Sequence, residues 1–136
     1  MLHKRFGVLI KMIIFESGNK INKMHELSIV MGIIDIAKKE VDKAELTKVE
    51  AIELDIGTLS GIEFEALEFA WEMAVSNTVL ENAKRKINRI EAKAKCTNCQ
   101  HVFKTSSVFE QCPKCNDFFS ELLSGKELRV KSLTAT

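Results

Sequence analysis

Apolar residues recur at steps of three and four from Leu27 onward, which is the spacing of one face of a helix. The positions of this face are Leu27, Val30, Met31, Ile34, Ala37 and Val41. Lys38, Lys39 and Asp42 lie largely off it. The pattern predicts a first amphipathic helix of about 15 residues.

A second apolar face follows Ser60 and predicts a second helix that ends near Ser76. Its apolar positions are Phe64, Leu67, Ala70, Trp71, Met73, Ala74 and Val75. Ser60 and Glu63 have the S-x-x-E spacing of a capping box, in which each side chain accepts a hydrogen bond from the other residue's backbone N–H. We therefore expect Ser60 to begin this helix and Glu63 to stabilise its first turn.

Three segments alternate apolar and polar residues as half-buried strands do. The first, 47–57, changes phase and predicts a β-bulge near Ala51; the second runs from about 84 to 95, and the third begins at Leu128. These elements predict an α+β fold in which two helices pack on a three-stranded sheet. Residues 24–94 and 120–136 would form this domain, with a zinc-ribbon-like module of four cysteines inserted at 95–119.

The four cysteines occur as two C-x-x-C pairs, Cys96 with Cys99 and Cys112 with Cys115. Each pair lets two thiolates reach one ion from a tight loop, and four thiolates complete the tetrahedral shell of Zn²⁺. A complete shell leaves no position for water or substrate, so the pattern predicts structural rather than catalytic zinc. The alternative, two disulfides, needs an oxidising compartment.

The cysteine module is too short to bury a core of its own, so four aromatic residues are expected to pack around the knuckles. They are Phe103, Phe109, Phe118 and Phe119. His101 also lies in the module. It could replace a thiolate, but the complete cysteine set favours a solvated loop side chain.

Charge and motifs exclude several classes of protein. The formal net charge of +1 gives no electrostatic case for binding nucleic acid or a membrane surface, and no apolar run is long enough to span a bilayer. The sequence has no Ser/His/Asp set, H-E-x-x-H or glycine-rich phosphate loop, so we expect no enzyme activity. The basic cluster 84–86 leaves a zinc-ribbon nucleic-acid-binding or protein-interaction module as the alternative function.

Residues 1–23 form an extension with a basic start and an apolar stretch interrupted by Lys11. No A-x-A-like cleavage site follows, and reduced thiols do not suit export, so we expect a cytoplasmic protein. The favoured interpretation is a start codon assigned too early, with Met24 as the true start. A disordered tail and a short strand are the alternatives.

A family resemblance emerges from several motifs together. Met24-His25-Glu26-Leu27-Ser28 is followed by the helix–strand pattern, by the zinc module and by the segment 125–133, GKELRVKSL. In this combination the chain resembles the HypA family of hydrogenase-maturation nickel chaperones, from Met24 to roughly Leu133. The resemblance implies a nickel metallochaperone for [NiFe]-hydrogenase.

The resemblance also implies a nickel site at the amino end of the first helix. In the family the ligands include the terminal amine and the neighbouring histidine, which correspond here to Met24 and His25, with Glu26 as a third candidate. Ni²⁺ accepts square-planar sets of nitrogen donors, so an amine beside an imidazole suits it. An acidic residue at the start of helix two is implicated in some members; Glu63 matches it, although the capping role is favoured for Glu63.

The implied partners are a maturation GTPase and the [NiFe]-hydrogenase large subunit that receives the metal. The oligomeric state is not predicted. One feature departs from the family, because Met24 is internal in this sequence and has no free amine. Met1-Leu2-His3 offers another amine with a nearby histidine, which we interpret as coincidence. A change of zinc ligands with redox state or nickel is a further hypothesis, prompted by His101.

Overall fold

A computed structural model describes residues 6–8 and 26–136 of the chain. The helices are α1 (Glu26–Lys43) and α2 (Phe64–Ala74). The strands are β1 (Phe6–Val8), β2 (Val49–Gly57), β3 (Lys84–Ile90), β4 (Lys93–Cys96), β5 (Val102–Lys104), β6 (Ser120–Ser124) and β7 (Leu128–Ala135). The predicted α+β class is confirmed, with two helices and mixed sheets.

The main sheet has the strand order β1-β7-β2-β3. β3 runs parallel to β2 and follows it through the crossover helix α2, whereas β7 is antiparallel to β2. β2, β3 and β7 correspond to the predicted strands. β1 adds a fourth, antiparallel to β7, from residues 6–8 of the extension. The rest of 1–23 lies outside the described residues, so the early start codon stays a prediction.

The two helices and one face of the main sheet enclose a single apolar core. Ile52, Leu54 and Ile56 of β2 are at most 2% exposed and belong to this core. The register between β2 and β7 shifts between Val49 and Ala51, which confirms the predicted bulge. Because strand side chains alternate, Glu53 and Asp55 lie on the opposite face of the sheet.

A charged network covers that opposite face. Asp55 is buried, and its carboxylate accepts hydrogen bonds from Arg129 Nε at 2.8 Å and from the Asn88 amide at 2.9 Å. Asn88 also donates to Glu53 at 2.7 Å. Burial raises the pKa of Asp55. The hydrogen bonds from Asn88 and Arg129 and the charge of Arg129 lower it by more, so the net shift of the pKa is downward.

The buried face of α1 is rotated from the predicted one. Ile29 and Ile33 are buried, whereas Leu27 and Met31 are 47% and 59% exposed, so their assignment to the core was wrong. Met73 of α2 is also exposed. The reason is that α1 contacts both α2 and β7, and the buried residues of α2 belong to the same core as the strands, so these contacts set the rotation of each helix about its axis.

The predicted capping box at the start of α2 was wrong. The helix begins at Phe64 and Glu63 is its N-cap residue, with a carboxylate that accepts from the Glu65 backbone N–H at 3.4 Å. The Ser60 hydroxyl instead accepts from the Ile62 N–H at 3.4 Å. Gly61 has φ +84°, a left-handed conformation that prevents the helix from starting earlier.

The predicted second strand is broken at Glu91 and Ala92, where the chain leaves the main sheet. Its second half, β4, is the centre of another sheet with the order β5-β4-β6. This sheet reaches from Lys93 to Ser124, slightly beyond the module predicted at 95–119. We call residues 93–124 the zinc-knuckle module below.

The junction between the two sheets is tightly packed backbone. Leu59 donates its N–H to the Gly125 carbonyl at 2.6 Å, and Ala92 donates to the Thr58 hydroxyl at 3.2 Å. A Cβ atom on Gly57 would overlap the Gly125 backbone, and one on Gly125 would overlap Ala92. Glycine is therefore required at both positions for the segments to approach this closely.

Neither helix in the described part of the chain has the length and hydropathy needed to cross a lipid bilayer.

Candidate metal centres

The two C-x-x-C knuckles have the same backbone construction. In the first, Cys96 donates its N–H to the His101 carbonyl at 2.9 Å, and Gln100 donates to the Cys96 carbonyl at 3.0 Å. In the second, Cys112 donates to the Asp117 carbonyl at 2.9 Å, and Asn116 donates to the Cys112 carbonyl at 2.9 Å. Each knuckle therefore closes through the same two hydrogen bonds.

A left-handed residue follows each knuckle and allows the turn to close. Gln100 has φ 67° and Asn116 has φ 62°, and each stands four positions after the first cysteine of its pair. Sequence reasoning missed both residues. Asn116 carried a signal, because asparagine tolerates this conformation better than most residues; Gln100 carried none.

The knuckles bring the four predicted cysteines together. Their sulfur atoms all lie within 4.8 Å of one another. Cys96 Sγ is 3.5 Å from Cys115 Sγ, and Cys99 Sγ is 3.6 Å from Cys112 Sγ. A tetrahedral zinc ion with Zn–S bonds of about 2.3 Å requires sulfur–sulfur edges of about 3.8 Å. The donor set therefore fits a closed four-thiolate zinc site in both chemistry and size.

The pKa values of two of the thiols, Cys115 and Cys99, are shifted in opposite directions. The backbone N–H of Asp117 lowers the pKa of Cys115, which with smaller bonds from neighbouring side chains falls to about 7. At Cys99 the backbone N–H of His101 acts in the same direction, but burial and hydrogen bonding with the other thiols raise its pKa to about 11. A bound divalent cation would favour the thiolate form of both cysteines.

The surroundings of the knuckles differ from the prediction. Phe103 is buried beside Cys96 and Cys112. Phe109, Phe118 and Phe119 are 81%, 61% and 74% exposed, so the expectation that they pack around the knuckles was wrong. The interior of the module is formed instead by Ala94, Phe103 and the four cysteines.

His101 lies beside the sulfur cluster without belonging to it. Its ring stacks on Phe103, with centroids 6.2 Å apart, and it is partly exposed. Among the residues described from Glu26 onward, the metal-ligand cluster at this site consists of cysteines alone. His101 contributes to the site through its backbone. Its carbonyl accepts a hydrogen bond from the Cys96 N–H, and its N–H donates to the Cys99 sulfur.

The amino ends of α1 and α2 meet at a second place, where two predicted nickel-site residues lie together. Glu26 is the first residue of α1, and its Oε1 accepts a hydrogen bond from the Glu63 backbone N–H at 3.3 Å. Glu63 is exposed. Met24 and His25, the other predicted nickel ligands, lie outside the described residues.

Comparison with known proteins identifies the family. A family model described as "Hydrogenase/urease nickel incorporation, metallochaperone, hypA" matches residues 24–135. The hydrogenase maturation factor HypA of Parabacteroides distasonis is 40% identical over 110 residues, which cover 81% of this chain and 96% of that protein. The same factor of Geobacter sulfurreducens is 38% identical over 110 residues, or 81% and 97% of the two chains.

Solved structures agree with the sequence matches. The solution structure of the Ni metallochaperone HypA from Helicobacter pylori has a TM-score of 0.57 at 28% identity, covering 81% of this chain and 96% of that one. Another solution structure of a HypA protein has a TM-score of 0.61 at 27% identity, covering 84% and 98%. The chain belongs to the HypA family, the nickel metallochaperones of hydrogenase maturation. This confirms the resemblance seen in the sequence, and it does not favour the nucleic-acid-binding alternative.

Proposed function

We propose that this protein carries Ni²⁺ as cargo at the amino end of α1 and holds a separate structural Zn²⁺ at the cysteine knuckles. His25 and Met24 would bind the nickel, with Glu26 and Glu63 beside it. The observation that carries the proposal is the hydrogen bond from the Glu63 N–H to the Glu26 carboxylate. It joins two sequence positions 37 residues apart, two residues after the start of the segment that matches the family, residues 24–135.

The zinc role rests on the closed geometry of the sulfur cluster. Cys96, Cys99, Cys112 and Cys115 would supply four thiolates, and zinc bound there would supply a cross-link between the knuckles. No coordination position remains for a substrate, so the site fixes shape and performs no chemistry. This supports a carrier without enzyme activity.

The nickel role rests on the donors at the helix junction. His25 directly precedes Glu26 in the sequence, and Glu26 lies at the junction of the two helices. The carboxylates of Glu26 and Glu63 give that junction negative charge, which favours a divalent cation. Because Glu63 also caps α2, we assign it a lesser role than His25.

The division between the two ends explains how a carrier can release its metal. Nitrogen and carboxylate donors bind Ni²⁺ less firmly than a thiolate shell does. We infer that the nickel passes to a maturation GTPase and then to a [NiFe]-hydrogenase large subunit, in the cytoplasm. These finer assignments follow the family and the exposed position of Glu63.

An assay of hydrogenase maturation tests this function. Cells that lack their own copy would receive the 1–136 chain, a chain that begins at Met24, or either chain with His25→Ala. We expect His25→Ala to abolish nickel-dependent hydrogenase activity at low nickel, and excess nickel to restore part of it. His101→Ala is the matched control, since it removes an imidazole from the other metal centre. Full activity of the His25→Ala chain at low nickel would contradict the proposal.

Comparing the two chain lengths tests the terminal amine separately. If the amine of Met24 is a ligand, the chain that begins at Met24 binds nickel more tightly than the 1–136 chain. Isothermal titration of both chains with Ni²⁺ measures this difference. Equal affinities would remove Met24 from the ligand set while leaving His25 in place.

A further inference from the structure

The main sheet has one covered edge and one open edge. The outer edge of β7 is paired with β1, in a register that places Phe6 opposite Ala135 and Val8 opposite Leu133. β3 pairs only with β2 within residues 6–8 and 26–136. The other side of β3 therefore presents a row of backbone N–H and C=O groups that an added strand can pair with.

The open strand is strongly basic. Its seven residues, KRKINRI, contain four cations and no acid. Lys84 and Lys86 are exposed, and they lie on the face of the sheet that carries Asn88. The cluster 84–86 is thus a feature that neither metal centre uses, and it lies on the one strand edge left open in the described main sheet.

The two arginines of β3 lie on the other face, against α2. Arg85 forms an ion pair with Glu68 and stacks over the Trp71 ring at 4.9 Å. Arg89 stacks over the Phe64 ring at 4.1 Å. These contacts hold the arginines to the protein itself. Lys84 and Lys86 face solvent beside the open edge, and Lys86 also lies opposite Glu53 of β2, whose carboxylate it attracts.

A pocket lies beside this edge on the helix face. It has a volume of about 220 Å³ and is lined by Phe64, Glu65, Glu68, Ile87 and Arg89. Phe64 and Ile87 contribute apolar surface to it, beside the charges of Glu65, Glu68 and Arg89. When a strand adds to a sheet edge, its backbone supplies affinity and pockets of this kind select its alternate side chains.

The two faces of the sheet beside β3 favour a particular sequence pattern in an added strand. Residues of an added strand point alternately to the helix face, where the pocket takes an apolar side chain, and to the opposite face, where Lys84 and Lys86 attract acidic ones. We propose that the outer edge of β3 binds an extended segment of a partner protein in which acidic and apolar residues alternate. The segment would extend the main sheet by one strand.

The same charges disfavour other occupants. Two copies of β3 placed edge to edge would bring lysines against one another, and like charges on paired strands are destabilising. Nucleic acid would use exposed aromatic rings for stacking, but Trp71, behind this edge, is only 3% exposed and lies under Arg85. An acidic peptide satisfies both the open backbone and the exposed positive charge of Lys84 and Lys86.

A peptide-binding experiment tests the proposal on the whole 1–136 chain. The probe is a fluorescein-labelled peptide, Glu-Val-Glu-Leu-Glu-Val-Glu, and the comparison is the same peptide N-methylated at alternate residues so that it cannot pair with a strand. We expect the unmodified probe to bind at least about tenfold more tightly. Hydrogen exchange should slow at the β3 amides when it binds. Equal binding of both peptides, or protection elsewhere, would overturn strand addition.

Charge reversal tests the second half of the proposal. The double variant Lys84→Glu with Lys86→Glu should weaken binding about tenfold or more. The matched control is Lys39→Glu with Lys43→Glu, which makes the same charge change on exposed residues of α1 and should leave binding within about twofold. An equal loss in both variants would show attraction by net charge alone and overturn the proposal. A preference for a single-stranded RNA over the peptide would overturn it as well.

Discussion

The main domain and the zinc-knuckle module are stabilised by different interactions. In the described part of the main domain, 18 buried residues from both helices and the sheet form one continuous core. In the module the buried cluster has four members, two of which are cysteines. Three phenylalanines of the module are instead exposed. The difference shows that the sulfur cluster stabilises the module, as the apolar core stabilises the main domain.

The largest expected effect is loss of the sulfur cluster. Cys112→Ser removes a buried thiolate, and structural zinc in small modules supplies about 10–16 kcal/mol of apparent folding free energy. We expect β4, β5 and β6 to lose protection from hydrogen exchange while β2 and β7 keep theirs. Exchange measured by mass spectrometry, together with zinc content, checks this. Loss of protection in both regions would contradict the independence of the two cores.

A core truncation in the main domain should give the converse result. Leu54→Ala removes a side chain that is 1% exposed and should lower the free energy of unfolding by about 2–5 kcal/mol. Trp71 fluorescence in urea measures that change, since Trp71 lies in the same core. Zinc content should stay at one ion per chain in the folded variant. A variant that folds but loses zinc would show that the module needs the main core.

A substitution at the junction should have a smaller effect that reaches both regions. Gly57→Ala introduces a Cβ that overlaps the Gly125 backbone, so the segments must separate, at a cost of about 1–3 kcal/mol. We expect faster hydrogen exchange at Leu59 and Ala92, whose N–H groups bond across the junction. Gly61→Ala is a useful comparison, because no atom lies within 4 Å of its added Cβ, although its positive φ adds local strain. Unchanged exchange at Leu59 and Ala92 in Gly57→Ala would contradict the close packing.

The smallest expected effect concerns the charged face of the main sheet. Because the folded-state pKa of Asp55 is lowered, its ionised form stabilises the protein above the unfolded pKa of about 4, and this stabilisation is lost as the pH falls through the folded value. At neutral pH Asp55→Asn should cost about 1 kcal/mol. The difference from wild type should shrink below about pH 4. Urea titrations at several pH values measure it, with the exposed Asp42→Asn as control; a difference independent of pH would contradict this role of Asp55.

The local features of both regions could be predicted from sequence. The C-x-x-C spacing specifies its own geometry, because each pair shares one short turn. The bulge at Ala51 left a visible change of phase in the strand. The existence of the helices and of three strands followed from periodicity in the same way.

The features that were missed depend on contacts between distant segments. Leu27 and Met31 fit a helical period, but the rotation of α1 is set by α2 and the sheet. Alternation continues through Glu91 and Ala92, although the chain changes sheets there. The bond between Glu26 and Glu63 joins residues that no local pattern relates.

We propose two separate metal sites in this protein, one for zinc at the cysteine knuckles and one for nickel at the amino end of α1. The most direct test is to measure bound zinc and nickel together, by mass spectrometry of the metals after equilibrium dialysis, in wild type, His25→Ala and Cys112→Ser. We predict that His25→Ala keeps one zinc ion per chain and loses nickel, whereas Cys112→Ser loses zinc. Nickel that is unchanged in His25→Ala but absent from Cys112→Ser would place the cargo at the knuckles and contradict the account.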